Sequence, residues 1–177
     1  MRFQLALVAI AFSAASAAPL AGRDSIFDKT SVITSTKHIN APVEDVIATL
    51  HNFTAMITLN PLVTNFVEDP SDPTGNTFTI TDSVPLILGL SFPTTYTAHF
   101  DTVDDGMDTN NTASAGVSLH NQWRAVANAT GGTDLTETDT LTANFLLSGL
   151  ITEELTTSHN QLMNTLASQL EVAAGNA

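Results

Sequence analysis

The chain has 177 residues, no cysteine, and 18 acidic against 5 basic side chains, a formal net charge of −13. That balance excludes a nucleic-acid binder, which needs a basic stripe against phosphates, and it opposes recruitment to anionic membranes. The absence of cysteine excludes a disulfide-stapled scaffold, so stability must come from packing.

Met1–Ala17 reads as a secretory signal peptide. Arg2 supplies the positive region, Leu5–Phe12 the apolar core and Ala15-Ser16-Ala17 the small-residue cleavage site. Its removal leaves about 160 residues, one domain, destined for the extracellular space. Gly22–Lys29 is polar and aperiodic, which makes 18–30 a flexible N-terminal tether. No later stretch is long enough to span a membrane, since the apolar run Val84–Phe92 covers only nine residues. The expected species is a monomer.

Ser31–Ile39 has a strand pattern, broken by Asn40-Ala41-Pro42. Pro42 suits a first helical turn and Asn40 a cap, while Glu44 and Asp45 favour the positive end of the dipole. Val43, Val46, Ile47 and Leu50 form a short apolar face, and Asn60-Pro61 forces the next strand to begin. Leu62–Glu68 continues as a strand into the turn cluster Asp69–Gly75, and Asn76–Asp82 alternates as a half-buried strand. Ser83–Pro93 is apolar and bracketed by Pro85 and Pro93. That argues against a central strand and for a loop, either over a cavity mouth or packed on the side of the domain.

Thr94–Val103 is a strand with Tyr96, Ala98 and Phe100 on one face, turned back by Asp104-Asp105-Gly106. Ala113, Ala115, Val117 and Leu119 alternate along the return strand, and their small side chains leave room beside the core. His120–Ala127 carries Trp123 and Arg124, and Gly131-Gly132 makes another hairpin. Thr133–Ala143 then places Leu135, Glu137, Asp139, Leu141 and Ala143 on one face. Ile151, Leu155, Leu162, Leu166, Leu170 and Ala173 define a closing helix from about Ser148 to Ala174, roughly 40 Å long and able to cross a whole sheet.

The order strand, AP-x-E-x-V helix, second short helix, NP-strand resembles the opening of the START-like (SRPBCC) superfamily, the helix-grip fold of pollen-allergen-like lipid binders and polyketide cyclases. Within it the chain looks most like a secreted fungal family sharing three landmarks. Here these are Leu59–Val63 (LNPLV), Gly116-Val117 with Trp123, and Leu135–Glu137. The resemblance implies an α+β helix-grip domain over 31–174. Its curved antiparallel sheet of about six to seven strands, two short helices and long C-terminal helix would enclose a cavity.

The chemistry is sparse. His38, His51, His99, His120 and His159 show no H-x-x-x-H or H-E-x-x-H spacing, so no metal and no cofactor is expected. No G-x-S-x-G elbow or phosphate-binding glycine loop occurs. Glu137 and Asp139 share a face with Leu135 and Leu141. Without a bulge the carboxylates face the cavity, where Glu137 is the candidate general acid or base and Arg124 the natural counter-charge. With a bulge they form a surface ion pair. Candidate ligand contacts are Tyr96, Phe100, Trp123, Arg124, Leu135, Glu137, Leu141, Leu155, Leu162 and Leu166. Asn52, Asn110 and Asn128 are glycosylation sequons, with Asn110 placed in an exposed turn.

Three functions compete. A secreted carrier of an apolar small molecule (lipid, sterol or aromatic metabolite) ranks first. A cofactor-free cyclase or isomerase ranks second, although the cyclases' catalytic set has no match on this chain. A cell-wall or host-facing interaction protein ranks third.

Overall fold

The computed structural model describes residues 28–85 and 90–175. The expected leader, most of the tether and residues 86–89 of the apolar run lie outside them. Seven strands form one curved antiparallel sheet in the order β1-β7-β6-β5-β4-β3-β2. They are β1 (Asp28–Ile39), β2 (Val63–Glu68), β3 (Thr77–Pro85), β4 (Ser91–Val103), β5 (Gly106–Ala113), β6 (Ser118–Ala127) and β7 (Thr133–Asn144). Helices α1 (Val43–Leu50) and α2 (Phe53–Leu59) join β1 to β2, and α3 (Phe145–Gly175) closes the chain. This is the expected α+β helix grip.

Local chemistry explains most of the boundaries. Asp104 and Asp105 form a two-residue hairpin loop, and a Cβ on Gly106 would stand 1.9 Å from the Trp123 carbonyl oxygen, so only glycine fits there. Gly131 and Gly132 have φ of 104° and 76°, the left-handed turn between β6 and β7. The side chain of Asn52 caps α2 by accepting from the Ala55 amide at 3.1 Å. Leu50 and Val46 of α1 are fully buried beside Ile39, Leu135 and Leu166, while Phe53, Phe78 and Phe100 pack ring to ring.

Several expectations shift. Asp28–Thr30, read as tether, already pair with 142–144 of β7. Asn40 does not cap α1, whose N-cap is Pro42; its backbone and side-chain amides donate to Glu171 Oε1 instead, tying the first helix entry to the end of α3. Ser83–Pro85 and Ser91–Pro93 are ladder rungs, not loop. Pro93 is tolerated because it lies beyond the last β4–β5 rung, Tyr96↔Ala113, where β4 has one neighbour only. The supposed return strand through 113–119 is cut by a 3-10 turn at Ser114–Gly116, with Ala115 exposed at φ 60°. The true return strand is β5, and exposed Asn110 sits inside it, hydrogen-bonded to His120, not in a turn. Helix α3 starts one turn early because Asn144 Oδ1 accepts from the Leu146 amide.

Candidate functional site

Strand β7 alternates without interruption, burying Thr133, Leu135, Glu137, Asp139, Leu141 and Ala143. With no bulge, both acids point to the concave face: Glu137 is 1% and Asp139 3% exposed. Cross-strand register then extends a polar band from them. Asp139 stands opposite Asn121 on β6, and Asn121 opposite Thr109 on β5. Asn121 donates from Nδ2 to Asp139 Oδ1 at 2.5 Å, and its Oδ1 accepts from Thr109 and Asn111, each at 2.7 Å. Further across the sheet the Tyr96 hydroxyl interacts with Asp82 on β3. Among the described residues, Asp82 Oδ1 and Glu137 Oε2, one near each end of this band, are the buried side-chain oxygens with no hydrogen-bond partner.

Helix α3 roofs the band with His159. Its Nδ1 lies 2.5 Å from Glu137 Oε1 and 3.6 Å from Asp139 Oδ2, and its ring sits 6.2 Å from that of Trp123. Burial pushes Glu137 up, against the pull of His159. Burial opposes charge on His159 too, but Glu137 and Asp139 outweigh it and raise the imidazole. Two carboxylates against one ring therefore hold the proton on Nδ1. Asp82 has no base in contact: burial pushes it up to about 6, with Tyr96 and the more distant charge of His159 pulling the other way. Burial likewise raises Tyr96.

A cavity of about 60 Å³ lies between α2, the concave face and α3. Met56, Ile57, Ile80, Phe100, Met107 and Leu162 give it apolar walls; Asn60, Tyr96, Thr109, Asn111, Asn121 and His159 supply polar groups. Of the residues expected to meet a ligand, Tyr96, Phe100, Trp123 and Leu162 line this space. Glu137 stands behind His159. Leu135, Leu141, Leu155 and Leu166 are buried but are not part of the lining.

Arg124 is not the partner of Glu137. Trp123 points inward, so its neighbour on the strand points outward. There Arg124 Nη1 donates to Asp108 Oδ1 at 2.6 Å and to the carbonyls of Met107 and Trp123, and Nε lies 3.4 Å from Asp105. Sequence reasoning passed over His159, Asn121, Asn111, Thr109 and Asp82. His159 carried a signal, since it shares the helical stripe of Leu155, Leu162 and Leu166. Asp82 likewise follows Phe78 and Ile80 at the strand period.

Solved structures share this architecture at low identity. The di-domain ARO/CYC BexL from the BE-7585A biosynthetic pathway matches with a TM-score of 0.60 and 14% identity, over 80% of this chain and 50% of that one. The chain thus spans about half the length of that di-domain protein. A START superfamily protein from Mycobacterium smegmatis matches with a TM-score of 0.62 and 12% identity, over 80% of this chain and 98% of that one. The Zhui aromatase/cyclase from Streptomyces sp. R1128 matches with a TM-score of 0.56 and 13% identity, over 82% and 98%. These likenesses establish the START-like helix-grip fold. No curated protein matches the chain in sequence. A family model described as Domain of unknown function (DUF7053) matches residues 28–172, and the chain belongs to that family.

Proposed function

We propose that the protein is a secreted carrier of a compact, largely apolar molecule bearing a polar group, held between α2, the concave face and α3. The observation that carries this reading is the two-sided lining of the cavity, with apolar walls meeting a buried polar corner at His159, Asn111 and Asn121. Apolar burial supplies affinity, and the few fixed polar groups set orientation. At about 60 Å³ the space holds about two waters. Ordinary ligand pockets measure about 300–1,000 Å³, so the reading narrows from sterols and long lipids to small ligands. Met56 and Met107 are the unbranched wall residues able to change rotamer and admit one. Export rests on the leader-like Met1–Ala17, and the sequons at Asn52, Asn110 and Asn128 suit an extracellular glycoprotein. Asn52 and Asn110 are exposed, and Asn128 is half-buried with Nδ2 donating to Asp134.

Native mass spectrometry of the protein recovered from culture medium tests this. The expected spectrum contains a small molecule that leaves on denaturation. Protein retained inside cells, or secreted without such a mass and without uptake of an apolar probe, overturns the reading.

A second reading, a cyclase or isomerase for a polyketide-like metabolite, is favoured by one specific observation: His159 reaches the cavity while Glu137 and Asp139 hold its Nδ1. The ring would pass a proton to or from a bound carbon acid, with Glu137 fixing tautomer and orientation. Glu137→Gln should then lower turnover by about 100-fold; unchanged turnover removes this reading and leaves the carrier untouched.

A further inference from the structure

We propose that Glu137, Asp139 and His159 form a binding site for a divalent transition-metal ion, with zinc as the best-fitting cation. This inference does not rest on the small-molecule reading. One donor atom from each of the three residues lies within 4.8 Å of the other two, and all three come together deep under α3. The set is a nitrogen and two carboxylates, a donor mix that suits zinc and manganese more than calcium or magnesium.

Three observations point from this cluster to a cation. First, Glu137 Oε2 is buried and has no hydrogen-bond donor, although Oε1 of the same carboxylate is engaged by His159. A carboxylate oxygen stripped of both water and donors costs on the order of 1–3 kcal/mol, which a cation held by both Glu137 oxygens, Oε1 and Oε2, would remove. Second, acidic groups outnumber bases in this corner. Two carboxylates face one imidazole, and the nearby base Arg124 points the other way toward Asp105 and Asp108. A divalent ion on two carboxylates and a neutral ring leaves the corner with no net charge.

Third, the geometry requires little change. A zinc ion about 2.0–2.2 Å from each donor needs donors about 3–3.5 Å apart. His159 Nδ1 and Asp139 Oδ2 already stand 3.6 Å apart, and the 2.5 Å approach of Glu137 Oε1 would lengthen by less than about 1 Å. Asn121 already orients Asp139, donating to Oδ1 and leaving Oδ2 toward the ring, the kind of outer contact that steadies a metal ligand. Three protein donors leave one coordination position for a water or for the polar group of a cavity ligand. The histidine spacing excluded only a local motif: these donors come from β7 and α3, twenty residues and more apart in sequence.

The full secreted chain is stripped with a chelator and titrated with zinc, followed by metal analysis after gel filtration. The expected result is one zinc per chain and a higher melting temperature with zinc. Glu137→Gln and Asp139→Asn, each near-isosteric and checked for fold by circular dichroism, should weaken uptake by at least about tenfold. Cobalt gives a second readout on the unsubstituted protein. Trp123 is the single tryptophan of the chain, 6.2 Å from the His159 ring, so bound cobalt should quench its emission at one equivalent. No stoichiometric zinc at excess, or uptake that both substitutions leave unchanged and cobalt that leaves Trp123 bright, overturns the proposal.

Discussion

Two buried carboxyl groups lie near opposite ends of the same polar band, and they meet different partners. Glu137 meets a base, His159, and the pair shares a proton as an ion pair. Asp82 meets a phenol, Tyr96, and burial holds it toward the neutral acid, up to about 6. Both have one oxygen without a partner. Burial raises both acids, and the side chain each one meets sets how far that rise is opposed. The cavity lies beside both arrangements and so offers a ligand a corner with a base and a corner whose acid is neutral only below about pH 6.

Removing the base should break the comparison most severely. His159→Leu leaves Glu137 and Asp139 buried without a counter-charge and should destabilise the fold by about 3–5 kcal/mol at neutral pH, read from denaturant unfolding. A loss below about 1 kcal/mol would mean that the acids are solvated or neutral, not paired.

Asp82→Asn should act in the other direction. Asp82 has a folded value of about 6 against an ordinary 3.8, so the folded state holds the proton more tightly. The stability from its neutral form is fully present below about pH 4 and lost as the pH rises to about 6. The asparagine has no charge to bury, so the variant should gain about 2 kcal/mol over the parent above pH 7 and little at pH 4. Equal differences at both pH values would contradict the assignment.

Arg124→Ala gives the smallest effect. Its half-exposed pairs with Asp105 and Asp108 should contribute about 1 kcal/mol or less, and occupancy of the cavity should not change. A loss of ligand binding in this variant would return Arg124 to the site.

Much of this arrangement was legible in the sequence, because much of it follows local periods. The alternation of Thr133–Ala143 placed both acids on the face of Leu135 and Leu141, and the turns at Asp104-Asp105-Gly106 and Gly131-Gly132 fixed the flanking hairpins. The same rule, applied strictly, separates Trp123 from Arg124, since consecutive strand residues face opposite ways. The meeting of His159 with Glu137 was not legible. It depends on how α3 lies over the sheet, a tertiary fact with no spacing signature. Asn121, Asn111 and Thr109 were hidden for a similar reason: they satisfy one another across strands and carry no motif. Pro93 misled because its cost depends on whether β4 has a second neighbour at that level.

The most direct test of the central claim, that the space under α3 takes a small ligand at its polar corner, uses Trp123 as the reporter in its wall. Titration with phenol, a compact apolar ring with one hydroxyl that Met56 and Met107 would move to admit, should change Trp123 emission saturably. Val63→Phe, which enlarges a half-buried residue of the cavity lining, should abolish the change. A linear, non-saturating response, or an identical response in the Val63→Phe protein, would contradict it.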